Sequence, residues 1–140
     1  MAIPPRFRVS MEDVFPYGAC VVSDVEPIRD FDKSTRERMV QQVDRESGLP
    51  MWSVSVLDAD PAARKTEKTL TIKFAAPHQP VPPEAAAGMP FPAVEFDGLV
   101  ITPYLDDKRG RVAYSLRALH MRAPVIGKAS HRSSASSEAA

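Results

Sequence analysis

Residues that build covalent or metal-held scaffolds are scarce in this chain of 140 residues. It has a single cysteine, Cys20, which excludes a disulfide within the chain and a zinc site made of several thiolates. The three histidines, His78, His120 and His131, form no pair at metal-ligand spacing. Since a catalytic thiolate needs a nearby base, a buried structural thiol is the simpler interpretation of Cys20.

Long apolar runs and an excess of one charge are also missing. Residues 1–6 hold no apolar stretch of signal-peptide length, and no segment approaches the ~18 apolar residues of a spanning helix. Eighteen basic and eighteen acidic residues cancel, so no overall field attracts the chain to nucleic acid or membrane. The balance is uneven, because residues 1–60 hold seven Lys or Arg against eleven Asp or Glu. We expect a cytoplasmic protein with no membrane partner.

Motifs of catalysis are absent as well. There is no Gly-rich phosphate loop and no GxSxG nucleophile motif. The acidic pairs Asp58/Asp60 and Asp106/Asp107 stand beside turns, where aspartate is favoured by turn chemistry alone. The sequence therefore predicts a protein that is not an enzyme and needs neither cofactor nor metal.

Proline is abundant, with fourteen residues, about double its usual share. Interior prolines break helices, so a helical bundle is disfavoured. Between the prolines, period-2 alternation predicts five strands. These strands run from about Gly18 to Ile28, Met51 to Leu57, Thr69 to Ala75, Val94 to Leu105 and Arg111 to Met121. The segment 82–88, with proline first and glycine last, predicts a short helix between strands three and four.

This order predicts an all-β fold, a five-stranded OB-fold-like Greek-key barrel with that helix between strands three and four. A five-stranded sandwich and an SH3-like barrel are the alternatives. The barrel domain should span residues 1–124, and residues 125–140, rich in Ser and Ala, should form a disordered tail. The expected core consists of Val21 or Val22, Trp52, Val54, Val56, Leu70, Ile72, Phe74, Leu99 or Val100, Tyr114 and Leu116.

Basic residues and exposed aromatic rings are the remaining functional signal. Single-strand binding needs cations that follow the phosphates and rings on which bases stack. An OB barrel presents such groups on strands two and three and on the first and last loops. The candidate nucleic-acid-binding residues in those places are Lys33, Arg36, Arg38, Lys73, Tyr104, Lys108, Arg109, Arg111 and Arg117. Solvent-facing Lys and Arg occur on every soluble protein, so the pattern alone does not decide.

Four segments resemble a family of small proteins from actinomycete integrative and conjugative plasmids, known as plasmid replication, integration and excision activators. They are FRVSMEDVFPYGACVVSDVEPIRDFDKST, QQVDRESGLPMWSVSVLDADP, VPPEAAAGMPFPAVEFDGLVITPYLDD and RVAYSLRALHMRAP, which cover most of the chain before the tail. In layout the chain is more distantly similar to helicase processivity factors of conjugative elements. The resemblance implies a mobile-element accessory protein, with no catalytic motif attached.

Two functions follow as hypotheses. The first is a non-enzymatic module that binds single-stranded DNA during replication or transfer of an integrative or conjugative plasmid. The alternative is a protein-interaction module that contacts a replication initiator, helicase or integrase without touching DNA. Duplex binding as a transcriptional activator lacks a helix-turn-helix pattern. A homo-oligomer is compatible with either hypothesis.

Overall fold

The computed structural model describes residues 3–125. The predicted tail at 125–140 lies outside the described residues apart from its first position. The chain is nearly all-β, as the sequence predicts. Its elements are β1 (Phe7–Arg8), α1 (Met11–Val14), β2 (Ala19–Val21), β3 (Glu26–Pro27), β4 (Met51–Asp58), β5 (Thr69–Ala75), β6 (Ala93–Asp97), β7 (Val100–Asp106), β8 (Arg111–Ala118) and β9 (His120–Arg122). None of the helices within residues 3–125 has the length and apolar character needed to cross a membrane.

The strands form one curled sheet in the order β1-β7-β8-β5-β4-β2-β6-β9, with β3 added to β4. Neighbouring strands are antiparallel except β5 and β8, which run parallel with Ile72 opposite Leu116. Between these two strands the chain crosses over through β6 and β7. The sheet therefore joins segments from all parts of the described chain.

Two long bent strands curl the sheet. β6 and β7 are separated only by Gly98 and Leu99, and β8 and β9 only by Leu119. Residues 97 and 120 pair on one side of the bend, and residues 100 and 117 on the other. Beyond the bend, β6 also pairs with β2, opposite Ala19 and Cys20. The hairpin of the two bent strands thus contacts the sheet at two separate places.

The core lies inside the curl and is purely apolar among the described residues. Its buried members come from β2, β4, β5, β6 and β8 and from three positions outside these strands: Phe15 directly after α1, Val25 before β3, and Leu99 between β6 and β7. The rings of Phe15, Phe96 and Phe74 follow one another with centroids 6.2 and 6.1 Å apart. Most of the predicted core is confirmed. At the two undecided positions, Val21 and Leu99 are the buried residues.

Three core predictions need correction. Trp52 and Leu70 are only partly buried and pack against the cluster, where the Trp52 indole donates to the Ala76 carbonyl at 2.9 Å. Tyr114 is wrong as a core residue, because its side chain is 63% exposed. Tyr114 lies on the same face of β8 as the buried Leu116, but the core does not extend as far as Tyr114. Cys20 is half-buried rather than fully buried.

The predicted helix at 82–88 is also wrong. Residues 77–92 form an extended connection, in which Met89 N–H donates to the Ala86 carbonyl across a turn and Gly88 has a φ of 80°. Three alanines after two prolines are too short a run to offset the cost of helix nucleation. The described chain has its helix instead at Met11–Val14. There Ser10 and Asp13 form a reciprocal capping box.

The number of strands differs from the five predicted runs. The first run divides into β2 and β3, the fourth into β6 and β7, and the fifth into β8 and β9. The first division falls at Val22–Val25, where the chain leaves and rejoins β4. β1 was not predicted, because two residues are too few to display an alternation.

Candidate nucleic-acid interface

The side of the sheet away from the core carries most of the predicted strand residues of the interface. Side chains on a strand alternate between two faces, so residues out of phase with Ile72, Phe74 and Leu116 point outward. The cross-strand pairs place Lys73 beside Arg117, and Tyr104 opposite Ala113. We call this surface the outer face, and its members are Lys73, Thr102, Tyr104, Arg111, Ser115 and Arg117.

Tyr104 presents the aromatic ring of this face. It is 51% exposed, and its neighbours across the ladder are the small residues Ala113 and Ser115, which leave the ring uncovered. The sequence predicted an exposed ring here, and this is confirmed. Phe31 is also exposed, but it lies in the first loop, between β3 and β4, with the Arg29 guanidinium 5.7 Å from its centroid.

A groove with a volume of about 430 Å³ lies between the outer face and residues 42–46 of the first loop, and both sides line it. Four cationic side chains line it, namely Arg6, Arg45, Lys73 and Arg117. Asp44 and Glu46 are its two acidic residues. A basic groove of this kind beside an exposed ring can hold phosphates next to a stacked base.

An ion pair holds the loop segment against the sheet. Arg117 Nη1 and Nη2 lie 3.1 and 2.9 Å from the two oxygens of Asp44, a bidentate geometry. Ser47 donates its backbone N–H and its hydroxyl to Asp44 Oδ2. The Arg117 hydrogen bond and then the Ser47 hydroxyl lower the pKa of Asp44 far below its ordinary range. Arg117 is therefore largely neutralised, and it has less charge to offer a phosphate than the sequence suggested.

The turn between β7 and β8 presents two further candidates at its tip. Asp106 accepts the backbone N–H of Lys108 at 3.1 Å, and its carbonyl accepts Gly110 N–H at 2.8 Å. Gly110 has a φ of 64°, a conformation that suits glycine at this turn. The Lys108 and Arg109 side chains are exposed, and Arg109 has only a long contact of 3.8 Å with Asp106.

The three candidates of the first loop form a separate group. Lys33, Arg36 and Arg38 are exposed in a loop whose hydrogen bonds mainly close on itself. The Ser34 hydroxyl bridges to Val40, and Arg38 N–H donates to the Thr35 hydroxyl. None of the hydrogen bonds or ion pairs described for residues 3–125 joins these three cations to the groove.

Sequence reasoning missed two features of the site. Arg6 enters the groove because β1 pairs with β7, and its side chain lies 3.4 Å from Glu46. Asp44 is the partner of Arg117, and the sequence analysis did not identify it. Both contacts join residues that are far apart in the chain, so no local sequence pattern predicts them.

Within residues 3–125, no group of three or more His, Cys, Asp or Glu side chains is arranged to hold a metal ion. The site therefore consists of basic side chains, one exposed ring and the polar groups of three strands. Comparisons with family models, with curated proteins and with solved structures found no match to this chain. The likeness to plasmid replication, integration and excision activators stays a prediction from the sequence.

Proposed function

We propose that this protein is a non-enzymatic accessory factor that binds single-stranded DNA along the outer face during replication or transfer of an integrative or conjugative plasmid. The observation that carries the proposal is the placement of exposed Lys73, Arg111 and Tyr104 on one sheet face beside a basic groove. Cations and an uncovered ring on one surface are what a flexible, negatively charged strand requires. The plasmid context rests on the resemblance of the sequence segments.

We further propose that the curled sheet is a five-stranded Greek-key barrel of the OB type. In support, β2, β4 and β5 form an antiparallel meander, β5 pairs in parallel with β8, and β6 returns to β2. We count β2 with β3, β6 with β7, and β8 with β9 as one strand each, so that β4 is strand two and β5 is strand three. The five strands then follow one another around the barrel in the order one, two, three, five, four and back to one. The parallel pair disfavours a sandwich of purely antiparallel sheets. OB folds bind oligonucleotides over strands two and three and the loops that follow strands one and four. The groove shares with that region Met51, Lys73 and the segment 42–46.

A titration of a fluorescently labelled single-stranded oligonucleotide at several salt concentrations tests the DNA proposal. Phosphate contacts release counterions, so log affinity should fall against log salt with a slope of about −0.7 for each neutralised phosphate. The double variant Lys73→Glu, Arg111→Glu should bind more weakly and have a shallower slope. Lys65→Glu is the matched control, because Lys65 is exposed in the β4–β5 loop and outside the groove lining.

Tyr104→Ala tests the stacking part of the proposal. If a base stacks on the ring, affinity should fall by about 1–3 kcal/mol with an unchanged salt slope, because no charge is removed. Tyr17→Ala is the control, since Tyr17 is also exposed, at 64%, but lies before β2. Equal affinities for both variants would refute stacking at Tyr104.

The alternative, a module that contacts only a replication protein, is decided by the same titration. Wild-type protein with no salt-sensitive affinity for single strands at ~50 mM salt would contradict the DNA proposal. Capture of a replication initiator or helicase by such a protein would then favour the protein-interaction function.

A further inference from the structure

The β7–β8 hairpin separates from its neighbouring strands as a two-stranded arm, formed by residues 102–106 and 111–115. Within the arm the two strands pair only with each other. β1 pairs with β7 only at residues 100 and 101, and β5 pairs with β8 only at residues 116–118. The arm therefore has two free edges among the described residues, one on each strand.

The two free edges differ in how they are protected. Exposed strand edges attract further strands, and proteins block them with proline, bulges or charges. The β7 edge carries Pro103, and the short β3 at another border of the sheet carries Pro27. The β8 edge has the sequence Arg-Val-Ala-Tyr-Ser with no proline and a continuous register without a bulge. Its one charge, Arg111, stands at the end.

The proline also fixes which backbone groups of β8 are free. Pro103 has no N–H, so its pairing with Tyr114 cannot be one of the hydrogen-bonded pairs of the antiparallel ladder. Hydrogen-bonded and non-hydrogen-bonded pairs alternate, so Leu105 with Val112 is also non-hydrogen-bonded. The N–H and C=O groups of Val112 and Tyr114 therefore point away from β7, toward the free edge.

One side of the arm is apolar as well. Three apolar side chains of the arm lie on the same face of the sheet as the core residues, but beyond the end of the core. They are Leu105, Val112 and Tyr114, and each is more than half exposed. Leu105 faces Val112 across the ladder, and Pro103 faces Tyr114. A contiguous exposed apolar surface next to an unpaired strand edge is typical of an interaction site.

We propose that the β8 edge at Arg111–Ser115 binds the same edge of a second copy of this chain, forming a two-fold symmetric dimer through an antiparallel strand pair. A two-fold axis at Ala113 sets Val112 opposite the second copy's Tyr114. These are the residues with free backbone groups, so each such pair exchanges two N–H···O bonds.

The side chains are self-complementary in the same register. A β-branched residue opposite an aromatic residue is a favourable cross-strand pair, and it joins the two apolar surfaces across the axis. Arg111 faces the second copy's Ser115, so no like charges meet. The edge is short, and the buried area falls below the ~1,200 Å² of standard interfaces, so the dimer should be reversible.

Amide hydrogen exchange at low and high protein concentration, with sedimentation equilibrium, tests this dimer. At high concentration the Val112 and Tyr114 amides should become protected, whereas Ala113 and Ser115 should be protected at both concentrations, because their N–H groups bond to β7. Sedimentation should show a monomer–dimer equilibrium. A monomer at every concentration up to about 500 μM would overturn the proposal.

Two variants locate the interface. Val112→Pro removes only an N–H that faces the partner, and Tyr114→Lys puts a charge into the joined apolar surface, so each should weaken dimerisation by about tenfold or more. Tyr104→Lys, on the opposite face and the other strand of the arm, should dimerise like wild type. A dimer that persists in both variants would place the interface elsewhere. If a variant unfolds, the exchange pattern of wild type still decides.

Discussion

Asp44 combines two roles in one side chain. It nucleates the turn before β4, where its carbonyl accepts Gly48 N–H at 2.8 Å and its carboxylate accepts Ser47. The same carboxylate binds both terminal nitrogens of Arg117 on β8. A single residue therefore sets the distance between the first loop and the outer face, and with it the width of the groove.

The lowered pKa of Asp44 makes this contact pH-dependent. A carboxyl whose pKa is lower in the folded state contributes stability above its unfolded pKa, near 3.8, and loses it as the pH falls toward the folded value. Asp44→Asn should therefore lower the free energy of unfolding by about 1–3 kcal/mol at pH 7.

Urea unfolding at pH 7 and at about pH 2.5 measures this effect. The difference between wild type and Asp44→Asn should shrink at the lower pH, because the unfolded chain binds a proton at Asp44 there while the folded chain keeps the carboxylate ionised, which favours unfolding. Asp32→Asn is the control, since Asp32 is exposed in the same loop. A difference that is the same at both pH values would contradict the role given to the charge.

Strands were predictable from the sequence wherever alternation is uninterrupted. β4 and β5 occur within one residue of the predicted bounds, because Val54, Val56, Ile72 and Phe74 keep one phase against the core. The phase changes at the bend. Phe96 and Leu99 are both buried although they are three residues apart, so alternation could not decide between Leu99 and Val100.

Gly98 permits that bend. Its φ is 66°, and a Cβ there would lie 2.6 Å from Leu119 Cδ1 and 2.7 Å from Leu119 Cγ. Gly98→Ala should therefore cost about 1–2 kcal/mol for the backbone conformation, and the overlap should add a smaller cost, because Leu119 is exposed and its side chain can shift. Urea unfolding gives the sum of the two costs.

Gly110→Ala separates the two costs. Gly110 has nearly the same φ, 64°, but no atom lies within 4 Å of its would-be Cβ, so only the backbone cost should appear. Adding Leu119→Ala to Gly98→Ala should recover part of the free energy of unfolding that Gly98→Ala loses, because it removes the overlapping atoms. Equal destabilisation by the two single glycine variants would show that Leu119 does not restrict the bend.

At the scale of the whole molecule, the site and the core divide into predictable and unpredictable parts. Alternation placed Lys73 on the outer side of its strand, since that follows from phase alone. Tyr104 was predicted to be exposed from its position beside the last hairpin. The groove depends on β1 meeting β7 and on Asp44 meeting Arg117, which are contacts of the folded chain. Tyr114 was misplaced because phase tells which side a residue faces, not how far the core extends.

All central strands share one core cluster, so we expect the described domain to unfold as a unit. Among residues 3–125, Phe74 is the largest fully buried side chain, and its ring packs at a tilt against Phe96, so Phe74→Ala should cost about 3–5 kcal/mol. Phe31→Ala, at an 82% exposed ring, should cost less than about 1 kcal/mol through its contact with Arg29.

Two probes report on this cooperativity. The indole of Trp52, the single tryptophan, bonds to the end of the β5 region through Ala76, so its fluorescence follows the β4–β5 pair. Circular dichroism follows the whole sheet. Because the parallel pairing of β5 and β8 ties the bent hairpin to that pair, both probes should give one urea midpoint in wild type and one lower, shared midpoint in Phe74→Ala. Separate midpoints would mean that the hairpin unfolds independently and that the core is not a single unit.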